Sequence, residues 1–202
     1  SATRRMISLL GSKMYSQPFA KVVGKELLQN SFDAVKAAKA QGKIKEGEGL
    51  IDVIWDAEKR EITYIDNGIG MVPETLGNAF FSVGGTMKTD LDVSERSGGK
   101  GLAKMAYVFG SEWIEVATVR DGIRTELRAT RDEIIDAIDD RLVLPTTITK
   151  AAAGEHGTRV TIRVPETTIG SDGQPQRIGL SLPGELESGK ESIPLMGDVE
   201  VR

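Results

Sequence analysis

The sequence predicts an α+β fold, a two-layer sandwich in which an open mixed β-sheet carries helices on one face. Three observations predict it. An apolar stripe at helical spacing runs from Pro18 to about Gln41. Two pairs of short alternating segments, 50–56 with 61–66 and 112–119 with 123–129, are each joined by a tight turn. A further alternating segment lies at about 158–164. Helix, hairpin, loop, helix and strands in that order make an α+β arrangement.

The elements follow in chain order. Residues 1–17 are weakly patterned and read as a short helix or an N-terminal arm. In the first helix Ala20, Val23, Leu27, Ser31, Ala34 and Ala38 recur at three-and-four spacing, and Gly42 ends it. A charged linker, KIKEGEG, leads to LIDVIWD and EITYID, which alternate around the turn Ala57–Arg60 as a hairpin. The stretch from Asn67 to Gly101 is polar and Gly-rich, with one helix predicted over 74–82. GLAKMAYVFG, residues 101–110, reads as a second buried helix. EWIEVATV and IRTELRA flank an Arg-Asp-Gly turn, a charged and partly helical segment spans 131–140, and TRVTIRV closes the patterned region. Residues 166–202 differ in composition and read as a tail or the start of a further domain. The organisation expected is therefore an arm (1–17), one domain (18–165) and a tail (166–202).

Composition narrows the function. The chain has 202 residues and no Cys, which removes disulfide scaffolds, Cys-based zinc sites and thiol nucleophiles together. A single His, His156, removes a His-rich metal site. No apolar run approaches the length of a membrane span, so a soluble, cytoplasmic protein without membrane contact is expected. The net charge is −4, and residues 1–50 carry nine Lys/Arg against four Asp/Glu. That excess is spread along one helix and is not interleaved with aromatics, so direct nucleic-acid binding is not expected. There are 23 Gly where average usage gives roughly 14.

Four blocks carry chemistry. In KELLQNSFDAVKA, Glu26, Asn30 and Asp33 stand in a row on one side of the helix, where a carboxylate and an amide oxygen can address one small site. Asn30 is a neutral oxygen ligand suited to Mg²⁺ when phosphates and waters supply the rest, and Glu26 can deprotonate a water. In IDNGIGM, an ionised Asp66 is an acceptor-only group suited to an exocyclic amine. Gly68 and Gly70 let the backbone approach a flat ligand. In SGGKGLAKMAYVFG, a Gly-rich loop with Lys100 runs into a helix N-terminus, a ready anion site. It is not a Walker A motif, because Gly101 follows Lys100; GELESGKE at Gly184–Glu191 also fails, with Glu191 where Ser or Thr is required. In HGTRVTIRV, the Thr158 hydroxyl at a strand start can bond a ligand or a bound water.

In this order and context the four blocks resemble the GHKL ATPase superfamily with its Bergerat ATP-binding fold. That superfamily holds the type II topoisomerase ATPase subunits, the ninety-kilodalton heat-shock chaperones, the MutL mismatch-repair proteins and the sensor histidine kinases. The resemblance covers about residues 18–165. It implies Glu26 as the general base, Asn30 as the Mg²⁺ ligand and Asp66 as the group that binds the adenine amine. Gly68, Gly70 and Met71 would line the base, with Asp33 in a supporting role. A mobile lid is implied over about 72–98, and a phosphate loop at Gly98, Gly99, Lys100, Gly101 and Leu102. Thr158 would support Asp66 through a water.

The wording KELLQNSFDA is similar to the chaperone and MutL branches, and sensor kinases usually have Asn where this chain has Glu26. The function implied is Mg²⁺-dependent ATP binding and hydrolysis, with lid closure driving a conformational or dimerisation cycle and an ATP-dependent homodimer. Two alternatives stand beside it: a nucleotide-gated protein-binding module, and a histidine-kinase-like phosphotransferase. Relatives that hydrolyse ATP usually need a Lys or Arg from a second domain at the γ-phosphate. After residue 165 this chain offers Arg177, Lys190 and Arg202. A downstream domain or partner is therefore expected to supply that cation, and the domain alone to be slow.

Overall fold

Helix α1 (Phe19–Ala40) is the longest element among the described residues. It stops where Gly42 enters the left-handed region at φ +70°. The Gly42 amide bonds the Lys39 carbonyl at 3.0 Å and the Lys43 amide bonds the Ala38 carbonyl at 2.9 Å, a Schellman ending that satisfies carbonyls the helix leaves open. Leu27, Leu28, Ser31, Phe32, Val35 and Ala38 are buried along it, whereas Ala34 is half-buried. The core-facing stripe is thus wider than the single row read from the sequence. A helix lying on a sheet buries three to four positions in every two turns, and Leu28, Phe32 and Val35 supply the extra ones.

The computed structural model describes residues 19–76, 111–140, 144–169, 172–177 and 198–202. The predicted arm, most of the lid segment, the predicted 101–110 helix, and Gly98, Gly99, Lys100, Gly101 and Leu102 lie outside the described residues. So does the Gly184–Glu191 near-match.

Among the described residues the strands are β1 (Leu50–Asp56), β2 (Glu61–Asp66), β3 (Trp113–Arg120), β4 (Ile123–Thr130), β5 (Thr147–Lys150), β6 (Gly157–Arg163), β7 (Thr167–Ile169), β8 (Pro175–Arg177) and β9 (Glu200–Val201). Seven form one sheet in the order β5-β4-β3-β6-β2-β1-β9, and β7 pairs with β8 separately. The β1–β9 pairing is parallel and the other neighbours are antiparallel, so the sheet is mixed. Both predicted hairpins are present. The β3–β4 turn places Asp121 and Gly122 at φ +52° and +78°, the two-residue geometry that matches strand twist.

Alternation puts Ile62, Tyr64 and Asp66 of β2, Ile114, Val116 and Thr118 of β3, and Thr158, Val160 and Ile162 of β6 on the buried face. Helix α1 packs there against β2 and β1, and α3 (Arg131–Asp140) against β4. Segment 131–140 is helical throughout because Thr130 and Glu133 form a capping box. The Glu133 amide donates to Thr130 Oγ1 at 3.2 Å and the Thr130 amide to Glu133 Oε2 at 2.8 Å. Of the helix predicted over 74–82, the described part is the single turn α2 (Pro73–Leu76).

The last five residues of the stretch read as a tail join the sheet. Val199 is buried against Gly49 and Val35, and the Val53 amide donates to the Arg202 carbonyl at 2.7 Å. Asp198 takes Lys39 Nζ at 2.6 Å and the Gly47 amide, so its carboxyl is held below the usual carboxylate range. A two-residue strand has no periodicity to read, which is why the sequence does not announce it.

Candidate functional site

The loop that leaves β2, residues 66–71, is the centre of the site, and three separate elements pin it. From α1, the Ala34 carbonyl accepts the Ile69 amide at 3.0 Å. A Cβ on Gly68 would stand 2.5 Å from the Ala34 Cβ, so only glycine lets the loop lie this close to the helix. From β3, Thr118 Oγ1 accepts the Met71 amide at 2.8 Å. From the turn before β6, His156 Nδ1 donates to the Gly68 carbonyl at 2.7 Å, since a carbonyl can only accept. Gly70 sits at φ +72°, and a Cβ there would be 1.9 Å from the Val119 carbonyl oxygen. Asn67 ties the loop's start: its Oδ1 accepts the Leu50 amide at 2.8 Å and its Nδ2 donates to the Glu48 carbonyl at 2.7 Å.

Asp66 ends β2 on the buried face with 8 % of its surface exposed. Its Oδ1 accepts the Gly68 amide at 2.8 Å. Burial pushes its carboxyl up from an ordinary 3.8 to about 6. Hydrogen bonds from the Gly68 amide, the Ser31 hydroxyl and the Thr158 amide, and the nearby His156, pull the other way. Beside it the Thr158 and Thr118 hydroxyls are 2.9 Å apart.

A cavity of about 470 Å³ opens between α1 and this loop. Glu26, Asn30 and Asp33 line its helix side, and Asp66, Gly70, Met71 and Thr158 its sheet side. Leu27, Ala34, Ala37, Ile69 and Val160 make much of the remaining wall apolar. A carboxylate on the floor of an apolar slot, with polar side chains along one rim, suits a flat, amine-bearing ring with a charged extension. Gly68 does not line the cavity; it is buried behind it against Ala34. Asp33 is exposed, and its Oδ1 accepts Gln29 Nε2 at 2.9 Å.

Sequence reasoning misses Ser31, Thr118, His156 and Arg120 as members of the site. Ser31 reads as a member of the apolar stripe, yet its hydroxyl reaches Asp66. Arg120 lines the cavity from the end of β3. For Arg120 the signal available is its place as the first residue of the Arg-Asp-Gly turn; for Thr118 there is none without the β3–β6 register. Of the downstream cations, Arg202 forms a two-armed pair with Asp52 at 2.8 and 3.2 Å, and Arg177 lines a second cavity with Arg60 and Glu166.

A mixed sheet with helices, a long helix edged by Glu26 and Asn30, and a glycine-bearing loop after a strand carrying a buried Asp together frame a cavity that suits a nucleotide. The family model described as "Histidine kinase-, DNA gyrase B-, and HSP90-like ATPase" matches residues 16–159. The chain belongs to that family, and ATP binding is the family's shared property. No curated protein matches the chain. No helix among the described residues is long and apolar enough to cross a membrane.

Proposed function

We propose that this domain binds ATP with Mg²⁺ and hydrolyses it. What carries the reading is the sharing of one cavity by the buried Asp66 carboxylate and the Glu26–Asn30 edge of α1. Asp66 accepts from the exocyclic amine of adenine, and the apolar walls sandwich the ring. Ribose and phosphates then extend along α1 towards Asn30 and Glu26. Glu26 takes a proton from a water; that water's oxygen attacks the γ-phosphorus as the bond to the β-phosphate oxygen breaks, leaving ADP and inorganic phosphate.

Among the described residues no three Asp, Glu, His or Cys cluster in a way that would hold a metal. Asn30, on the wall of the cavity, would hold Mg²⁺ together with phosphate oxygens and waters, where the ion would neutralise charge on the phosphates. Gly98, Gly99, Lys100, Gly101 and Leu102 are proposed as the phosphate loop and 72–98 as a lid that closes over the nucleotide. The wording around Glu26 supports the chaperone and MutL side of the family, and with it an ATP-dependent homodimer. Arg202, tied to Asp52, and Arg177, in the second cavity, support a γ-phosphate cation from another domain or partner. The same observation favours a second reading, a module gated by nucleotide with little turnover.

The test is ATP binding and turnover by wild type, Glu26→Gln and Asp66→Ala, with and without Mg²⁺. Glu26→Gln is expected to bind ATP like wild type and turn over at least about 100-fold more slowly. Asp66→Ala is expected to lose binding at least about tenfold. Equal ATP affinity in wild type and Asp66→Ala would overturn the assignment of the base site. Binding without any turnover in wild type would leave the gated module.

A further inference from the structure

We propose that Thr118 is the positioning residue of the base site, a single buried hydroxyl that fixes the Met71 amide and turns the Thr158 proton into the cavity. This rests on the reading of the cavity as an ATP site. Thr118 is fully buried on β3, directly across from Thr158 on β6. A hydroxyl has one proton and two lone pairs. One lone pair of Thr118 takes the Met71 amide at 2.8 Å. Its proton has two acceptors in reach, Thr158 Oγ1 at 2.9 Å and the Gly157 carbonyl at 3.3 Å. In the proposed arrangement that proton goes to Thr158, across the shorter of the two contacts; were Thr158 the donor instead, Thr118 would bond the Gly157 carbonyl and Thr158 would have no proton left for the cavity.

Direction is then inherited. Thr158 Oγ1 accepts from Thr118 and keeps its own proton to donate into the cavity it lines. The cavity floor therefore presents an acceptor, Asp66, beside a donor, Thr158. That pair matches a base edge offering an amine next to a ring nitrogen, and opposes one offering a carbonyl next to a ring N–H. Thr118 touches no part of the base itself; it sets the polarity of the residue that does.

The experiment measures ATP and 1-deaza-ATP affinity, the latter lacking the ring nitrogen beside the amine-bearing carbon. Wild type, Thr118→Val, Thr118→Ser and Thr125→Val are compared. Thr125 is the cross-strand neighbour of Thr118, equally buried, and its hydroxyl has no hydrogen-bond partner among the described residues, so it is the control. Wild type is expected to bind 1-deaza-ATP about tenfold more weakly than ATP. Thr118→Val is expected to lose about tenfold for ATP and to bind the two ligands equally. Thr118→Ser should stay within about threefold of wild type, and Thr125→Val should match it. If Thr118→Val keeps the wild-type preference, or Thr118→Ser loses as much as Val, the proposal is overturned while the ATP reading stands. If wild type binds no ATP, the ATP reading itself falls. Should Thr118→Val not fold, amide exchange of wild type decides: Met71 protected supports the proposal, and Met71 exchanging like an open loop overturns it.

Discussion

Replacing Asp66 by asparagine should make the protein more stable and worse at binding nucleotide. The carboxyl is 8 % exposed, and burial raises it from 3.8 to about 6, so the folded state disfavours the ionised form. That rise corresponds to about 3 kcal/mol, the ceiling on what a neutral isostere can recover. The amide side chain keeps an oxygen for the Gly68 amide, bonded at 2.8 Å in the wild type. It turns the other oxygen into a donor, which disturbs the bonds from Ser31 and the Thr158 amide and returns about 1 kcal/mol. The net expectation is about 1–2 kcal/mol of added stability at pH 8. The sign with pH follows from the raised value. Between pH 3.8 and 6 the folded state holds a proton the unfolded state has lost, so wild-type stability falls as pH rises through that window. The gap between the Asp66→Asn variant and wild type should therefore be widest above pH 6 and close towards pH 4. Urea unfolding at pH 8, 6 and 4 measures it, with ATP affinity measured alongside. ATP affinity should fall about 10- to 100-fold in the variant, and in wild type as pH drops below 6. A variant no more stable than wild type at pH 8, or a gap that widens towards pH 4, would refute the reasoning.

Three other outcomes are expected. Gly70→Ala must place a Cβ that would lie 1.9 Å from the Val119 carbonyl oxygen at a φ of +72°, so a loss of at least about 2 kcal/mol is expected in thermal unfolding, together with weaker ATP binding. Thr125→Val removes a buried hydroxyl that has no hydrogen-bond partner among the described residues, and should raise the melting temperature by a few degrees with nucleotide affinity unchanged. Val199→Ala empties part of the contact with Val35 and Gly49 and should cost about 2 kcal/mol in urea unfolding, which would be absent if 198–202 did not pack on the sheet.

The sheet is legible in the sequence because its strands are long enough to alternate, and β1 and β2 fall on the predicted residues. Asp66 is legible for the same reason: after Ile62 and Tyr64 a carboxylate occupies the next inward position, and an inward carboxylate needs a purpose. Helical spacing puts Glu26 and Asn30 on one side of α1, and both line the cavity, but the roles proposed for them come from the four blocks taken together. What cannot be read is what depends on register between distant segments. Thr118 looks like any β-branched residue in a strand until β3 is set against β6, which brings it opposite Thr158. His156 sits 88 residues from the Gly68 carbonyl it holds, with nothing local to link them. Ser31 hides in the apolar stripe because a buried hydroxyl keeps the same helical spacing as the residues around it.

The three clamps on loop 66–71 also bear on how recognition and chemistry are joined. The loop holds the proposed base acceptor, and α1 holds the proposed general base and metal ligand, Glu26 and Asn30. They are tied by the Ile69–Ala34 bond at 3.0 Å and by the contact of Gly68 with Ala34, which leaves no room for a side chain between them. Ala34 is one helical turn from Asn30 and two from Glu26, so a shift of the loop relative to the helix would break the amide bond and open a gap in the packing. The proposed adenine contact and the proposed phosphate chemistry would thus be held at one fixed spacing. A nucleotide-driven rearrangement in this domain has to occur in segments other than the α1–loop pair, and amide exchange at Ile69 should stay slow whether or not ATP is bound.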